Sequence, residues 1–78
     1  MIIKNSEEPI GAEIDYGVHG ISPLNNHRVT IRKLGENEWQ VVKYLFKTKK
    51  EVEIKRGTLK EVVQVVNLRY GYKDVVEE

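Results

Sequence analysis

The sequence predicts an α+β fold, with a small antiparallel sheet of about four strands (an N-terminal strand plus a three-stranded meander) followed by one C-terminal helix. Residues 10–16 and 28–32 alternate between apolar and polar side chains, which is typical of half-buried strands. Residues 59–70 carry apolar side chains at the spacing of one helix face. At 78 residues the chain is predicted to form a single domain, 1–78.

The first predicted strand is followed by a long loop. Every second residue of the strand is apolar, and the residues between them are glycine or acidic. The stretch from residue 17 to residue 26 is rich in Gly, Pro and Asn, which are turn formers, and it predicts a ten-residue loop. The apolar positions of the strand are Ile10, Ala12, Ile14 and Tyr16.

The meander is predicted from three further segments. Residues 27–34 and 39–47 would form a hairpin around 35–38, because both segments contain β-forming side chains and the connection contains glycine. Residues 51–56 would form the third strand. Thr48 and Glu51 also have the spacing of a helix capping box, so a helix is the alternative there.

The register of the hairpin follows from its apolar pattern. A four-residue loop would pair Ile31 with Val42, whereas a three-residue loop would pair Val29 with Lys43 and mix the two faces. Since a one-residue slip exchanges the faces of a strand, the pattern favours the four-residue loop. The helix is then expected to cover Val29, Ile31, Val42, Tyr44, Phe46, Val52 and Ile54.

The C-terminal helix is predicted from its ends as well as its stripe. Thr58 and Glu61 have the spacing of a capping box, and Gly71 is placed to end the helix. Four valines lower the helix propensity of this segment, so a strand is the alternative. Residues 72–78 are expected to form a short strand or a frayed tail. The helical stripe comprises Leu59, Val62, Val63, Val66 and Tyr70.

The composition excludes several classes of protein. The chain has no cysteine, so it has neither disulfides nor a thiolate metal site. Its apolar runs are at most three residues long, whereas a membrane-spanning helix needs about 20. No signal peptide is visible at the start. We therefore expect a cytoplasmic protein without a membrane partner, a metal or a cofactor.

Charge is distributed unevenly along the chain. The net charge is only +1. Residues 1–26 hold one lysine and four acidic residues, and residues 61–78 hold two basic and four acidic residues. Residues 27–60 hold ten basic residues against four acidic ones, a net charge of +6. The middle of the chain is therefore basic, which indicates an anionic partner as one possibility.

The second face of the predicted meander carries the preferred functional hypothesis. In the favoured register it presents cations interleaved with an indole, which suits phosphate contacts and base stacking. We therefore expect a small non-catalytic module that binds nucleic acid or acts as a regulator. The predicted nucleic-acid contacts are Arg28, Arg32, Trp39, Lys43, Lys47, Lys49 and Lys50.

The alternative hypothesis is a protein-interaction module, such as an inhibitor, an accessory subunit or a self-associating structural protein. Val41 and Leu45 would be exposed on the second face unless another strand or a second copy covers them. Val65 and Leu68 lie off the main helical stripe and could contact a partner or a homodimer mate.

Catalysis has little support in the sequence. His19 lies near Asp15 and Ser22, but a catalytic triad is defined by geometry rather than by sequence proximity. His27 is expected to have a packing or hydrogen-bonding role. Two histidines without cysteine do not make up a typical zinc site. Since the sequence indicates neither a triad nor a zinc site, we predict no enzyme activity.

Overall fold

The computed structural model describes residues 1–77, and Glu78 of the predicted C-terminal tail lies outside the described residues. The α+β prediction is confirmed by a four-stranded antiparallel sheet and one C-terminal helix. A short 3₁₀ turn covers Asn5–Glu7. The elements are β1 (Ile2–Lys4), β2 (Glu13–His19), β3 (His27–Gly35), β4 (Glu38–Leu45), β5 (Lys50–Gly57), α1 (Leu59–Tyr70) and β6 (Val75–Glu77).

The main sheet has the strand order β2-β3-β4-β5. The predicted meander is therefore confirmed as β3, β4 and β5, and the strand predicted before it corresponds to β2, which pairs with β3. The predicted boundary of the long loop is wrong. β2 continues past Gly17 to His19, and the connection covers only residues 20–26. A bulge between Asp15 and Val18 accommodates the positive φ of 80° at Gly17, which lets the strand bend and continue.

The predicted hairpin register is also wrong. Ile31 pairs with Val41 rather than Val42, and Val29 pairs with Lys43. Gly35 pairs with Glu38 across a two-residue turn, and the register shifts between Lys33 and Gly35. Leu34 is therefore the extra residue of a bulge, and every pair beyond it is displaced by one position.

The observed register is stabilised by the N-terminal segment. This register turns the Trp39 side chain towards the core and buries the Lys33 side chain beside it. Lys33 Nζ donates to the carbonyl oxygens of Asn5 and Glu8 at 2.8 and 2.7 Å, and Trp39 Nε1 donates to Asn5 Oδ1 at 2.8 Å. Because these polar groups are satisfied, the sheet can bury a large indole at little cost.

The core lies between α1 and one face of the main sheet. The helical stripe of Leu59, Val62, Val63 and Val66 is buried, as predicted. Full burial of each such side chain stabilises the fold by about 1.5–3 kcal/mol. The sheet side of the core differs from the prediction and comprises Tyr16, Val29, Ile31, Trp39 and Val41, with Ile3 from β1.

Four of the predicted core partners lie elsewhere. Val42 is buried, with 3% exposure, but it and Tyr44 belong to the parity of β4 that faces away from the helix, because the register is displaced. Phe46 and Val52 are exposed. Ile54 still packs at the margin of the core, because a second bulge between Val41 and Val42 re-aligns β5 there.

The ends of α1 follow the sequence prediction. Glu61 N donates to Thr58 Oγ1 at 3.3 Å, and Thr58 N donates to Glu61 Oε1 at 3.2 Å, which completes the capping box. Gly71 ends the helix in the left-handed region, with φ of 77°. A residue with a Cβ would be strained in that conformation.

A second, two-stranded sheet was not predicted. β1 and β6 pair in parallel, with Ile3 opposite Val76. Ile3 is buried in the core, and Val76 packs against the core. Of the two alternatives for the C-terminal tail, the short strand is therefore correct for Val75–Glu77.

Candidate functional site

The face of the main sheet opposite α1 carries arginines that are paired with carboxylates. Arg28 Nη1 donates to Asp15 Oδ2. Arg32 Nε donates to Glu13 Oε2 at 2.8 Å, and its two Nη atoms each donate to a Glu51 oxygen at 3.2 Å. The hydrogen bonds that Arg32 donates to Glu51, and then to Glu13, raise the pKa of its guanidinium group. We call this surface the arginine face.

The arginine face continues onto β5. Arg56 Nε and Gln40 Nε2 donate to the same Glu53 oxygen, at 2.7 and 2.8 Å. The hydrogen bond from Arg56 is the main cause that lowers the pKa of Glu53. Since Arg28, Arg32 and Arg56 each have a carboxylate partner, a phosphate that binds them competes with that carboxylate for the guanidinium charge. The predicted contacts Arg28 and Arg32 thus lie within an ion-paired network.

Trp39 and Val41 are covered by α1 instead of lying on the second face. Both side chains are fully buried. The ammonium group of Lys33 lies 6.0 Å from the centroid of the Trp39 ring, within reach of a cation–π interaction. In this structure neither side chain is accessible to a nucleotide or to a partner protein.

The cations at the end of the β4–β5 hairpin differ from those of the arginine face. Lys47 and Lys49 lie on the connection between the two strands, and Lys50 is the first residue of β5. All three are exposed, and we call residues 46–50 the lysine turn. Within residues 1–77, none of these three lysines forms an ion pair with a carboxylate oxygen inside 4.0 Å. Lys49 N donates to Leu45 O at 2.8 Å, and Lys49 has a φ of 56°, which closes the turn tightly.

Lys43 and Leu45 lie on a neighbouring surface. Lys43 is opposite Val29 on one side and Val52 on the other, so it projects from the helix-covered face of β4. Leu45 has the same parity, and both side chains are half-buried. The structure thus brings three of the seven predicted nucleic-acid contacts together on the lysine turn and leaves Lys43 to one side.

Next to the lysines, the lysine turn carries an exposed aromatic side chain that sequence reasoning missed. Phe46 is 42% exposed, and its ring centroid lies 5.6 Å from that of Tyr44, with the ring planes at 38°. Phe46 N donates to Asn26 O at 3.4 Å, which ties the turn to the connection 20–26. The register error had placed both rings beneath the helix. The available signal was the position of Phe46 directly before the run of lysines that begins at Lys47.

The histidines have structural hydrogen bonds. His27 Nδ1 lies 2.7 Å from Asn25 O, which can only accept, so Nδ1 carries the proton. His27 Nε2 therefore accepts from the Tyr70 hydroxyl at 2.9 Å when the ring is neutral. His19 Nε2 donates to Tyr16 O at 2.8 Å. The expected hydrogen-bonding role of His27 agrees with this arrangement.

No catalytic triad is assembled around His19 within the described residues. The Asp15 carboxylate receives hydrogen bonds from Arg28 and Gly17 N, and the Ser22 hydroxyl bonds to Asn25. Tyr16 is the most perturbed titratable group nearby. Burial is the main cause that raises its pKa, and the neighbouring Asp74 carboxylate adds to it. The hydroxyl therefore stays protonated and is a poor nucleophile.

A groove of about 390 Å³ runs between α1 and β6. Leu68 and Val75 line it and are 79% and 58% exposed. Val65, the other helical residue predicted to contact a partner, packs against the core instead. Of the four predicted interface residues, Leu68 is therefore the one that is largely exposed.

Residues 1–77 offer neither a metal-binding cluster nor a membrane-spanning helix. No three or more His, Cys, Asp or Glu side chains are arranged to hold a metal ion in this part of the chain. None of its helices has the length and hydrophobicity of a membrane-spanning segment. Comparisons with known protein families, with curated proteins and with solved structures gave no significant match to this chain.

Proposed function

We propose that this chain is a small non-catalytic nucleic-acid-binding module that contacts phosphates through the lysine turn. The observation that carries the proposal is the difference in pairing between two groups of cations. Lys47, Lys49 and Lys50 have no carboxylate partner in the described part of the chain. Unpaired ammonium groups are free to replace the counterions of a phosphate backbone.

The expected binding is weak and strongly dependent on salt. Three phosphate contacts to a single strand would give a slope of log K against log salt of about −2. Sequence-independent binding of this kind has a Kd of about 10⁻⁴–10⁻⁶ M at physiological salt. A modest net charge of +1 agrees with such a local site rather than with a molecule attracted over its whole surface.

Fluorescence anisotropy of a labelled oligonucleotide, titrated between about 50 and 200 mM salt, tests the proposal. The test variant is Lys47→Glu with Lys50→Glu. The matched control is Lys60→Glu with Lys73→Glu, which changes the net charge equally at two exposed lysines outside the turn. We expect the test variant to lose at least tenfold in affinity at low salt and the control to lose less than threefold.

Three outcomes would overturn the proposal. One is the absence of binding to any oligonucleotide at low salt, and another is an equal loss in the test and control variants. The third is equal affinity for polyglutamate of the same charge, because this would indicate an acidic protein partner rather than a nucleic acid.

A second candidate function is self-association through the groove between α1 and β6. The specific observation is that Leu68 and Val75, which both line this groove, expose apolar surface. Sedimentation equilibrium tests this candidate. A dimer that dissociates in Leu68→Lys, but not in Leu24→Lys of the connection 20–26, would support it, and a strict monomer at high concentration would eliminate it.

A further inference from the structure

Phe46 gives the lysine turn a feature that phosphate contacts alone do not need. Phe46 is 42% exposed and directly precedes Lys47 in the sequence. The neighbouring Tyr44 ring, with its centroid 5.6 Å away, restricts where the phenyl ring can move. An exposed ring held in place costs little side-chain entropy when a flat ligand stacks on it. Aromatic rings beside cations are the usual arrangement of surfaces that bind single-stranded nucleic acids.

The surroundings of the turn argue against insertion into a duplex groove. A β-ribbon enters the major groove as an isolated two-stranded element, because the groove is only about 12 Å wide. Here Leu45, the last residue of β4, still pairs with His27 of β3 as well as with Lys50 of β5. The hydrogen bond from Phe46 N to Asn26 O also holds the connection 20–26 against the turn. The hairpin therefore does not project as a free arm.

Bases in a duplex are also poor partners for this ring. Their faces are already stacked, and opening one step costs the stacking free energy of that step. Bases of a single strand offer free faces, and each stack on an aromatic side chain is worth roughly fivefold to 150-fold in affinity. The position of Phe46 next to Lys47 allows one strand to stack a base and place its adjacent phosphate on an ammonium group.

From these contacts we infer that the lysine turn selects single-stranded over double-stranded nucleic acid by stacking a base on Phe46. This inference rests on the proposed function, because it requires that the lysines bind phosphates. It assigns the two residue types different tasks. The lysines supply affinity for any nucleic acid, and Phe46 supplies the preference for unpaired bases.

The test compares Phe46→Ala, Phe46→Trp and wild type on a single-stranded oligonucleotide and on its duplex. We expect Phe46→Ala to weaken single-strand binding by about tenfold and to leave duplex binding within twofold. Phe46→Trp should restore single-strand binding, and its added indole fluorescence should be quenched by the oligonucleotide. Leu24→Ala is the control, because Leu24 is an apolar side chain of the adjacent connection that is 71% exposed.

The outcomes separate this inference from the proposed function. If Phe46→Ala weakens both ligands equally or neither of them, while Lys47→Glu with Lys50→Glu still abolishes binding, stacking is refuted and the proposed function stands. If wild type binds neither ligand at low salt, the proposed function itself fails. An intrinsic preference of wild type for the duplex would also overturn the inference.

Discussion

The arginine face and the lysine turn come from the same basic segment of the chain, yet they differ in how their cations are paired. Arg28, Arg32 and Arg56 each bond to a carboxylate from their own or a neighbouring strand. No such partner faces the lysines of the turn within residues 1–77. The comparison teaches that the net charge of a segment does not locate a binding surface, because strand pairing decides which charges remain free.

Two aromatic side chains also differ from their expected positions, one being buried and the other exposed. Trp39 was expected on the surface, and it is fully buried in the core. Phe46 was expected in the core, and it is exposed on the lysine turn. Both exchanges have one cause, the displacement of the β3–β4 register by one residue.

The largest expected effect tests this exchange of aromatic side chains. Trp39→Ala should lower the free energy of unfolding by about 3–5 kcal/mol, because it leaves a cavity under α1. Phe46→Ala should lower it by only about 1 kcal/mol, since Phe46 is 42% exposed and lies outside the core. Urea unfolding followed by far-UV circular dichroism measures both. Comparable losses in the two variants would contradict the assigned burial.

An intermediate effect tests the pairing of the arginine face. Arg32→Glu should lower the free energy of unfolding by about 2 kcal/mol, because it removes the ion pairs and places three carboxylates together. Lys47→Glu should change the free energy by less than about 0.5 kcal/mol. Thermal unfolding measures the stability of both variants, and because each replaces a cation by glutamate, the change of net charge is the same. A stable Arg32→Glu variant would mean that the network contributes nothing in solution.

The smallest expected effect is a loss of stability at acid pH. The hydrogen bonds from Arg56 and Thr58 hold the pKa values of Glu53 and Glu61 below the ordinary value of 4.5. A carboxyl whose folded-state pKa is lowered stabilises the fold above its unfolded pKa, and this stabilisation is lost as the pH falls through the folded value. The Tm should therefore fall as the pH is lowered from about 5 towards 3.

The matched variant for this prediction is Glu53→Gln with Glu61→Gln. It should have a lower Tm than wild type at pH 7 and a smaller decrease towards acid pH. An identical pH dependence of Tm in the variant and the wild type would show that other groups cause the acid loss. The lysine turn has no paired carboxylate in the described chain, so Lys47→Gln should leave this pH dependence unchanged.

Local patterns were sufficient for the elements but not for the packing between them. The alternation of Val29 and Ile31, the capping box of Thr58 and Glu61, and the helical stripe each depend on residues close in sequence, and each was predicted correctly. The register depended on Asn5, whose side chain and carbonyl satisfy Trp39 and Lys33 from about 30 residues away. The expectation that a lysine side chain stays in solvent could not anticipate the Asn5 carbonyl group, which accepts a hydrogen bond from the buried Lys33.

The candidate site was predicted only in part, because some of its features depend on contacts between residues distant in sequence. The sequence predicted a connection between residues 47 and 51, so the exposure of Lys49 and Lys50 followed from it. Lys47 was the last residue of the predicted strand before that connection. The neutralisation of Arg28 and Arg32 required the pairing of β3 with β2 and the folding of β5 beside β4. The alternation of Glu13 with Asp15 and of Glu51 with Glu53 was the available signal for acidic rows facing the arginines.

The bulge at Leu34 also has a consequence for how the chain finds its structure. Without the bulge, the pair Gly35–Glu38 would continue as Leu34–Trp39, which is the register that exposes the indole. The hairpin therefore has a near-native competitor one residue away during folding. Deletion of Leu34 would join Lys33–Trp39 directly to Gly35–Glu38 in an unbroken ladder. The shorter chain would then reach the native pairing without choosing between two registers.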